Sequence, residues 1–241
     1  MRSRVWFPVA ALLAASGWCV LLLLARSYAF GAAPQYRGLV WNLALAWVPL
    51  VLSVLLYAAY RRRRTPLELV TVAAAWLVFL PNAPYVLTDF VHLGESHRLF
   101  DTMIIASFAG TALAVGFASL LLVQIVATRA AGVVAGWGVV VSALFLSSLG
   151  MYLGRVQRFS SWDVVRRPRL LAWTVRERLN DPFGNRHLLL FVAAVCGFLT
   201  FAYVALYGIA MLASFAGRRP DAPVLLSKES WPNRSSSSNR S

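Results

Sequence analysis

Charge is what this sequence has least of: only 13% of its 241 residues are Asp, Glu, Lys or Arg, against 59% hydrophobic residues. A soluble domain carries about a quarter of its residues charged, so too little polar surface is present to cover one. Cysteine is scarce as well. Cys19 and Cys196 both fall inside apolar segments, so no disulfide or cysteine-metal framework follows and both read as small packing residues. Also missing are a nucleophile motif, a phosphate-binding loop, an established metal spacing and an internal repeat, which removes the usual signatures of many enzymes and transporters. These residues specify no cofactor, and no metal is expected.

What the chain has instead is long apolar runs. Stretches with little or no charge occupy about 5–25, 39–60, 67–87, 102–127, 132–153 and 187–213, each long enough to cross a hydrocarbon layer. The expected fold is all-α, a polytopic membrane helix bundle of about six transmembrane helices forming one domain over 1–216. Residues 217–241 are polar, Ser-rich and Pro-containing, which predicts a disordered tail. At the N-terminus, Arg2 and Arg4 precede an apolar run of about 21 residues, longer than a secretory leader's apolar region. Trp18 before Cys19 also suits no lipoprotein cleavage, so retention as the first span is expected.

A net charge of +14 raises the question of nucleic acid. The arginines, however, sit at the ends of apolar stretches and form no basic face on a soluble fold, so membrane topology explains them and nucleic acid is not an expected partner. Arg61 to Arg64 make the densest short cluster, which places them in the cytoplasm. With six full spans both termini are then cytoplasmic, and the inside segments hold 12 of the 23 Lys and Arg residues. The even split comes from one connection, 154–186, which holds eight arginines and faces outward; without it the count is 12 against 3. A re-entrant third stretch gives 15 inside against 8 outside, but that stretch is long enough to cross and six spans are preferred.

The third stretch begins with a helix start, Thr65-Pro66-Leu67-Glu68: an N-cap, a proline at the first helical position and a glutamate completing a capping box. Helix from Leu67 to Leu80 rises roughly 21 Å before Pro81-Asn82-Ala83-Pro84 breaks it within the membrane. Each proline removes a donor, so the carbonyls of Leu77 and Leu80 are expected to lose their normal partners, with Asn82 placed to satisfy some of the freed groups. Interrupted helices at membrane depth mark ligand or ion sites in transporters; a packed proline kink is the plain alternative. Beyond the break come Tyr85, Asp89 and His92, then His97 and Asp101. Asp89 and His92 at i, i+3 suit general-base work, whereas interfacial solvation of these side chains is the default.

Ser147, Ser148, Gly150, Tyr152 and Gly154 crowd the end of the fifth span, followed by Arg155, Arg158, Trp162 and Asp163. Arg155 and Arg158 can form a cationic fork for a phosphate or carboxylate, with Asp163 as counter-ion; snorkelling beside an interfacial tryptophan competes with that reading. Over 168–179, Leu171, Val175 and Leu179 alternate with arginines, which predicts an amphipathic interfacial helix that attracts anionic lipid headgroups. Two ladders of small residues, Ala106, Gly110, Ala114 and Ala118, and Gly132 with Gly136, read as helix-packing surfaces.

Three blocks together resemble a bacterial membrane-protein family: Trp41-Asn42-Leu43 with Ala46-Trp47 and Pro49, FLPNAPYVLTDFVHL from Phe79 to Leu93, and GMYLGRVQRFSSWD from Gly150 to Asp163. The family is catalogued as domain of unknown function 1361, and the resemblance runs from about Trp41 to Phe201. It implies a compact multi-span protein of the bacterial inner (plasma) membrane and brings no established activity. In the family pattern an aromatic pair precedes the aspartate opening the fourth span, whereas Leu99-Phe100 precedes Asp101 here.

The leading expectation is a polar pocket at the outer membrane face for an anionic or lipid-linked ligand. Asn82, Tyr85, Arg155, Arg158, Trp162 and Asp163 would bind it, with Asp89 or His92 handling a proton. A transporter using the broken helix and a non-catalytic assembly partner are the rivals, and whether the chain is an enzyme stays open. The topology is checked by fusing alkaline phosphatase to the C-terminus. Cytoplasmic placement predicts an inactive fusion, and an active one would overturn six spans in favour of the re-entrant arrangement.

Overall fold

In a computed structural model the described residues are 3–31, 36–92, 98–156, 169, 173 and 186–216. Their regular structure is helical throughout: α1 (Ser3–Phe30), α2 (Arg37–Arg61), α3 (Pro66–Phe79), the short α4 (Asn82–Tyr85) with a 3-10 segment (Val86–His92), α5 (Arg98–Ala131), α6 (Val133–Val156) and α7 (Arg186–Ala216). Among the described residues, six helical stretches are long and apolar enough to cross a membrane, the third running over Pro66–Phe90. This is a multi-pass membrane protein. Of the segment 168–179 only Arg169 and Trp173 are described, both helical, and the tail 217–241 lies outside the described residues.

The chain divides into two compact units, Met1–Tyr203 and Val204–Ser241. In the second, the described residues 204–216 are helical. In the first, α5 is the hub. Of its most hydrophobic window 56% is buried, against 6% for α1, because α5 packs on α1, α2, α4 and α6. One core joins Ile104, Ile105, Phe108 and Ala112 of α5 to Leu39, Leu43 and Ala46 of α2 and to Ala83 and Val86. A second gathers Trp76, Leu80, Phe117, Leu120, Leu144, Leu199 and Tyr203.

Lipid tails are as apolar as leucine, so burial alone gives the helices little reason to associate, and polar ties matter more. Several cross between spans. Trp76 Nε1 donates to Ser119 Oγ at 2.7 Å, the Tyr203 hydroxyl to Gln124 Oε1 at 2.5 Å, and Trp47 Nε1 to Ser16 Oγ at 3.2 Å. Each such bond is worth on the order of 0.6 kcal/mol in a membrane bundle.

Thr65 caps α3 as its sequence predicts: its backbone is extended, its side chain accepts from the Glu68 N–H at 3.3 Å, and Pro66 occupies the first turn. The Glu68 carboxylate lies 3.9 Å from Arg64. At Pro81–Pro84 the expected break proves to be a slight bend at 80–81. Leu80 and Pro81 keep right-handed helical angles, φ −55° and −60°, and a proline ring already favours that φ. Leu80 loses its normal partner as expected, because Pro84 carries no N–H. Its carbonyl accepts from the Ala83 N–H at 3.1 Å, one residue short of helical spacing, and the Asn82 amide covers the Phe79 carbonyl at 2.9 Å. Asn82 therefore repairs the ladder locally, and the third span continues to Val86–His92 as a tighter 3-10 helix.

Two glycines on other helices make room for this segment. A Cβ on Gly116 of α5 would stand 2.6 Å from Ala83 Cβ, and one on Gly150 of α6 would stand 2.9 Å from Pro81 Cγ. The first half of the Ala106–Ala118 ladder behaves otherwise than expected: Ala106 and Gly110 face outward, and nothing lies within 4 Å of a Cβ at Gly110, whereas Ala114 and Ala118 are half-buried. Gly132 is likewise no packing residue; at φ +91° it forms the turn between α5 and α6. Adding a methyl at Gly116 or Gly150 must displace the proline segment, which typically costs about 1–3 kcal/mol. Gly116→Ala and Gly150→Ala should each lower the melting temperature of the detergent-purified protein, while Gly110→Ala leaves it unchanged or raises it. Equal melting of Gly116→Ala and Gly110→Ala would show that the contact is not constraining.

Candidate functional site at one end of the bundle

Alternating helix direction brings the ends of α1, the third span and α6 together with the starts of α2, α5 and α7. Side-chain contacts in the first unit bear this out at three points. The first is a buried ion pair. Arg26, near the end of α1, donates from Nε to Asp101 Oδ1 at 3.0 Å and from Nη2 to Oδ2 at 3.4 Å. The Tyr36 hydroxyl donates to Asp101 Oδ2 at 2.8 Å, and the guanidinium lies over the Tyr36 ring, 5.4 Å from its centre. Arg26 Nη1 reaches the Gly31 carbonyl at 3.0 Å. The two side chains are 9% and 2% exposed, so solvation of Asp101 at an interface, the sequence default, gives way to burial against a cation.

This pair joins α1, the entry to α2 and α5. Sequence reasoning missed Arg26 and Tyr36. The available signal was an arginine at the edge of the first apolar stretch and an aspartate at the opening of the fourth, both at the same end of the bundle, since an ionisable group near hydrocarbon calls for a partner from another span.

The second contact is at Asp89, on the 3-10 segment. Asn42 Nδ2 of α2 donates to Asp89 Oδ2 at 3.0 Å, with both side chains half-buried. Thr88 Oγ1 donates to the Tyr85 carbonyl at 2.7 Å. His92 ends the same segment, and a 3-10 helix has three residues per turn, so positions 89 and 92 fall in register. Arg155 is in the last turn of α6. Arg158, Trp162 and Asp163 lie outside the described residues. Thus the structure joins Asp89 to Asn42, a partner the sequence did not suggest. Tyr85 is half-buried, and Asn82 is engaged with the backbone as described above.

Third, a groove of about 380 Å³ opens at Leu87 and Thr88, the residues just before Asp89 in sequence, and is lined also by Met151 of α6 and by Phe191, Ala194, Val195 and Phe198 of α7. A much smaller void, about 10 Å³, lies among Leu80, Pro84, Gly116, Leu144 and Ser147. There the buried Ser147 hydroxyl has no hydrogen-bond partner among the described residues. Also among the described residues, no three His, Cys, Asp or Glu side chains gather as a metal would require.

Over residues 41–202, more than half its length, the chain matches the family described as Protein of unknown function (DUF1361). The chain belongs to the DUF1361 family. No curated protein and no solved structure matches it. The DUF1361 stretch contains Asn42, Asp89, Asp101 and the groove, so the Asn42–Asp89 contact joins two of the blocks that carry the resemblance. Arg26 and Tyr36 lie before that stretch, yet they hold one of its aspartates.

Removing one partner of a buried pair strands the other's charge, typically at about 3–5 kcal/mol, whereas replacing both with apolar residues is often neutral. Arg26→Leu and Asp101→Leu should therefore each lower the melting temperature strongly. The double variant should melt well above either single one, and a double variant no better than the singles would remove the pair from the account of stability.

Proposed function

We propose that this DUF1361 protein is a bacterial inner-membrane protein, with both termini cytoplasmic, that holds an anionic or lipid-linked ligand in a polar pocket at its outer face. One observation carries the reading: Asp89 sits half-buried at a span end, where Asn42 of another span donates to it. Carboxylates within membrane-spanning segments are costly, and those that persist commonly mark binding or proton-handling sites. Thr88 lies on the adjoining groove and Met151, one turn before Arg155, lines its other side. In this reading Arg155 and Arg158 position the anion, while Tyr85, Trp162 and Asp163 complete the pocket. Asp89 or His92 exchanges a proton with the ligand or with water.

The test is unbiased mass spectrometry of whatever co-purifies with the protein from native membranes. Hydrogen bonds to charged groups contribute about 1.5–3 kcal/mol, so Arg155→Gln with Arg158→Gln should reduce an enriched anionic species by roughly tenfold or more. Folded yield should not change. Identical co-purifying species in wild type and variant would overturn the proposal.

A further inference from the structure

The groove at Leu87 and Thr88 is built for hydrocarbon. Its one polar side chain, Thr88, already donates its hydroxyl proton to the Tyr85 carbonyl, and the rest of the lining is Leu, Met, Phe, Ala and Val. Phe191, Ala194, Val195 and Phe198 recur at i, i+3, i+4 and i+7, so they form one stripe along α7. Ala194 is exposed and Phe198 is 51% exposed, which leaves that side open to the bilayer.

Depth and charge identify the occupant. At about 1.5 Å per residue the stripe runs from roughly 7 to 18 Å below Arg186, well inside the tail region of one leaflet about 15 Å thick and reaching its midplane. Basic residues stand at the near ends of both helices. Arg186 and His187 are exposed at the start of α7, where the helix dipole also favours an anion, and residue 155, one turn after Met151 in the sequence of α6, is an arginine. At about 380 Å³ the groove falls in the range of small-molecule sites.

We infer that this groove seats one acyl chain of an anionic glycerophospholipid, with the headgroup at Arg155, Arg186 and His187. The inference rests on the proposed anionic pocket and adds that the ligand's hydrophobic half is held by α6, α7 and the end of the third span. The bilayer itself is the source of such a chain.

The full-length protein is reconstituted in vesicles of phosphatidylcholine and phosphatidylglycerol, one of them carrying a photoreactive diazirine in its acyl chain, and the labelled peptides are identified. The phosphatidylglycerol probe should label peptides containing Met151 and 191–198 more strongly than the phosphatidylcholine probe does. Ala194→Trp fills the slot from its lipid-exposed side and should cut that labelling roughly tenfold or more relative to lipid-facing α1 peptides in the same sample. Should Ala194→Trp unfold the protein, competition by unlabelled phosphatidylglycerol replaces it and must reduce groove labelling while sparing α1. Labelling indifferent to either intervention overturns this inference alone. Equal labelling by the two probes overturns the anionic reading of the site together with this inference. Wild-type groove peptides that take no label, or that crosslink to residues 157–185 or to a second copy, assign the groove to protein and overturn the inference as well.

Discussion

A charge placed in hydrocarbon must find a counter-charge or leave, and in this protein that requirement is met by Arg26 and Asp101. The bidentate contact, the Tyr36 hydroxyl on the second carboxylate oxygen and the Gly31 carbonyl on the guanidinium together occupy most of the pair's hydrogen-bonding capacity. α1 depends on this most. It is the least buried of the spans, and its other polar ties are modest: Trp47 to Ser16, and the Cys19 thiol 3.4 Å from the Thr111 hydroxyl. The ion pair fixes the end of α1 against the start of α5, and α5 in turn organises α2, α4 and α6.

Around that hub the proline segment is accommodated by small changes in several places. One backbone hydrogen bond of i, i+3 spacing, one asparagine amide and two missing Cβ atoms suffice to carry Pro81 and Pro84 through the bundle with little bend. The fit has a local cost in the Ser147 hydroxyl, buried beside Pro84 without a partner among the described residues. Unmade hydrogen bonds of this kind are unfavourable by about 1–3 kcal/mol in soluble proteins.

The spans and the Thr65 cap were legible because both follow from local rules: a hydrocarbon thickness sets run length, and Thr-Pro-x-Glu sets a helix start. The position of the interruption was legible too. Its small amplitude was not, since it depends on Gly116 and Gly150, which are distant in sequence. Helix faces were poorly legible because spans that are apolar on every side carry no periodic signal, and so Gly110 was assigned to packing although it faces outward. At the site, Asp89 stood out as an ionisable residue at a span end, but its tie to Asn42 is a contact between helices that spacing cannot reveal. Arg26 read as one more span-end arginine.

The Arg26–Asp101 pair also has a history within each molecule. Its two residues are 75 positions apart, and at about 5–20 residues per second the ribosome takes roughly 4 to 15 s to make the second after the first. During that interval the arginine of α1 lacks the carboxylate it pairs with, and its long stem lets the guanidinium stay at the headgroups. Once Asp101 arrives, drawing that arginine inward closes α1 onto a helix made three spans later. α1 is therefore locked in place only after the next two spans have been made.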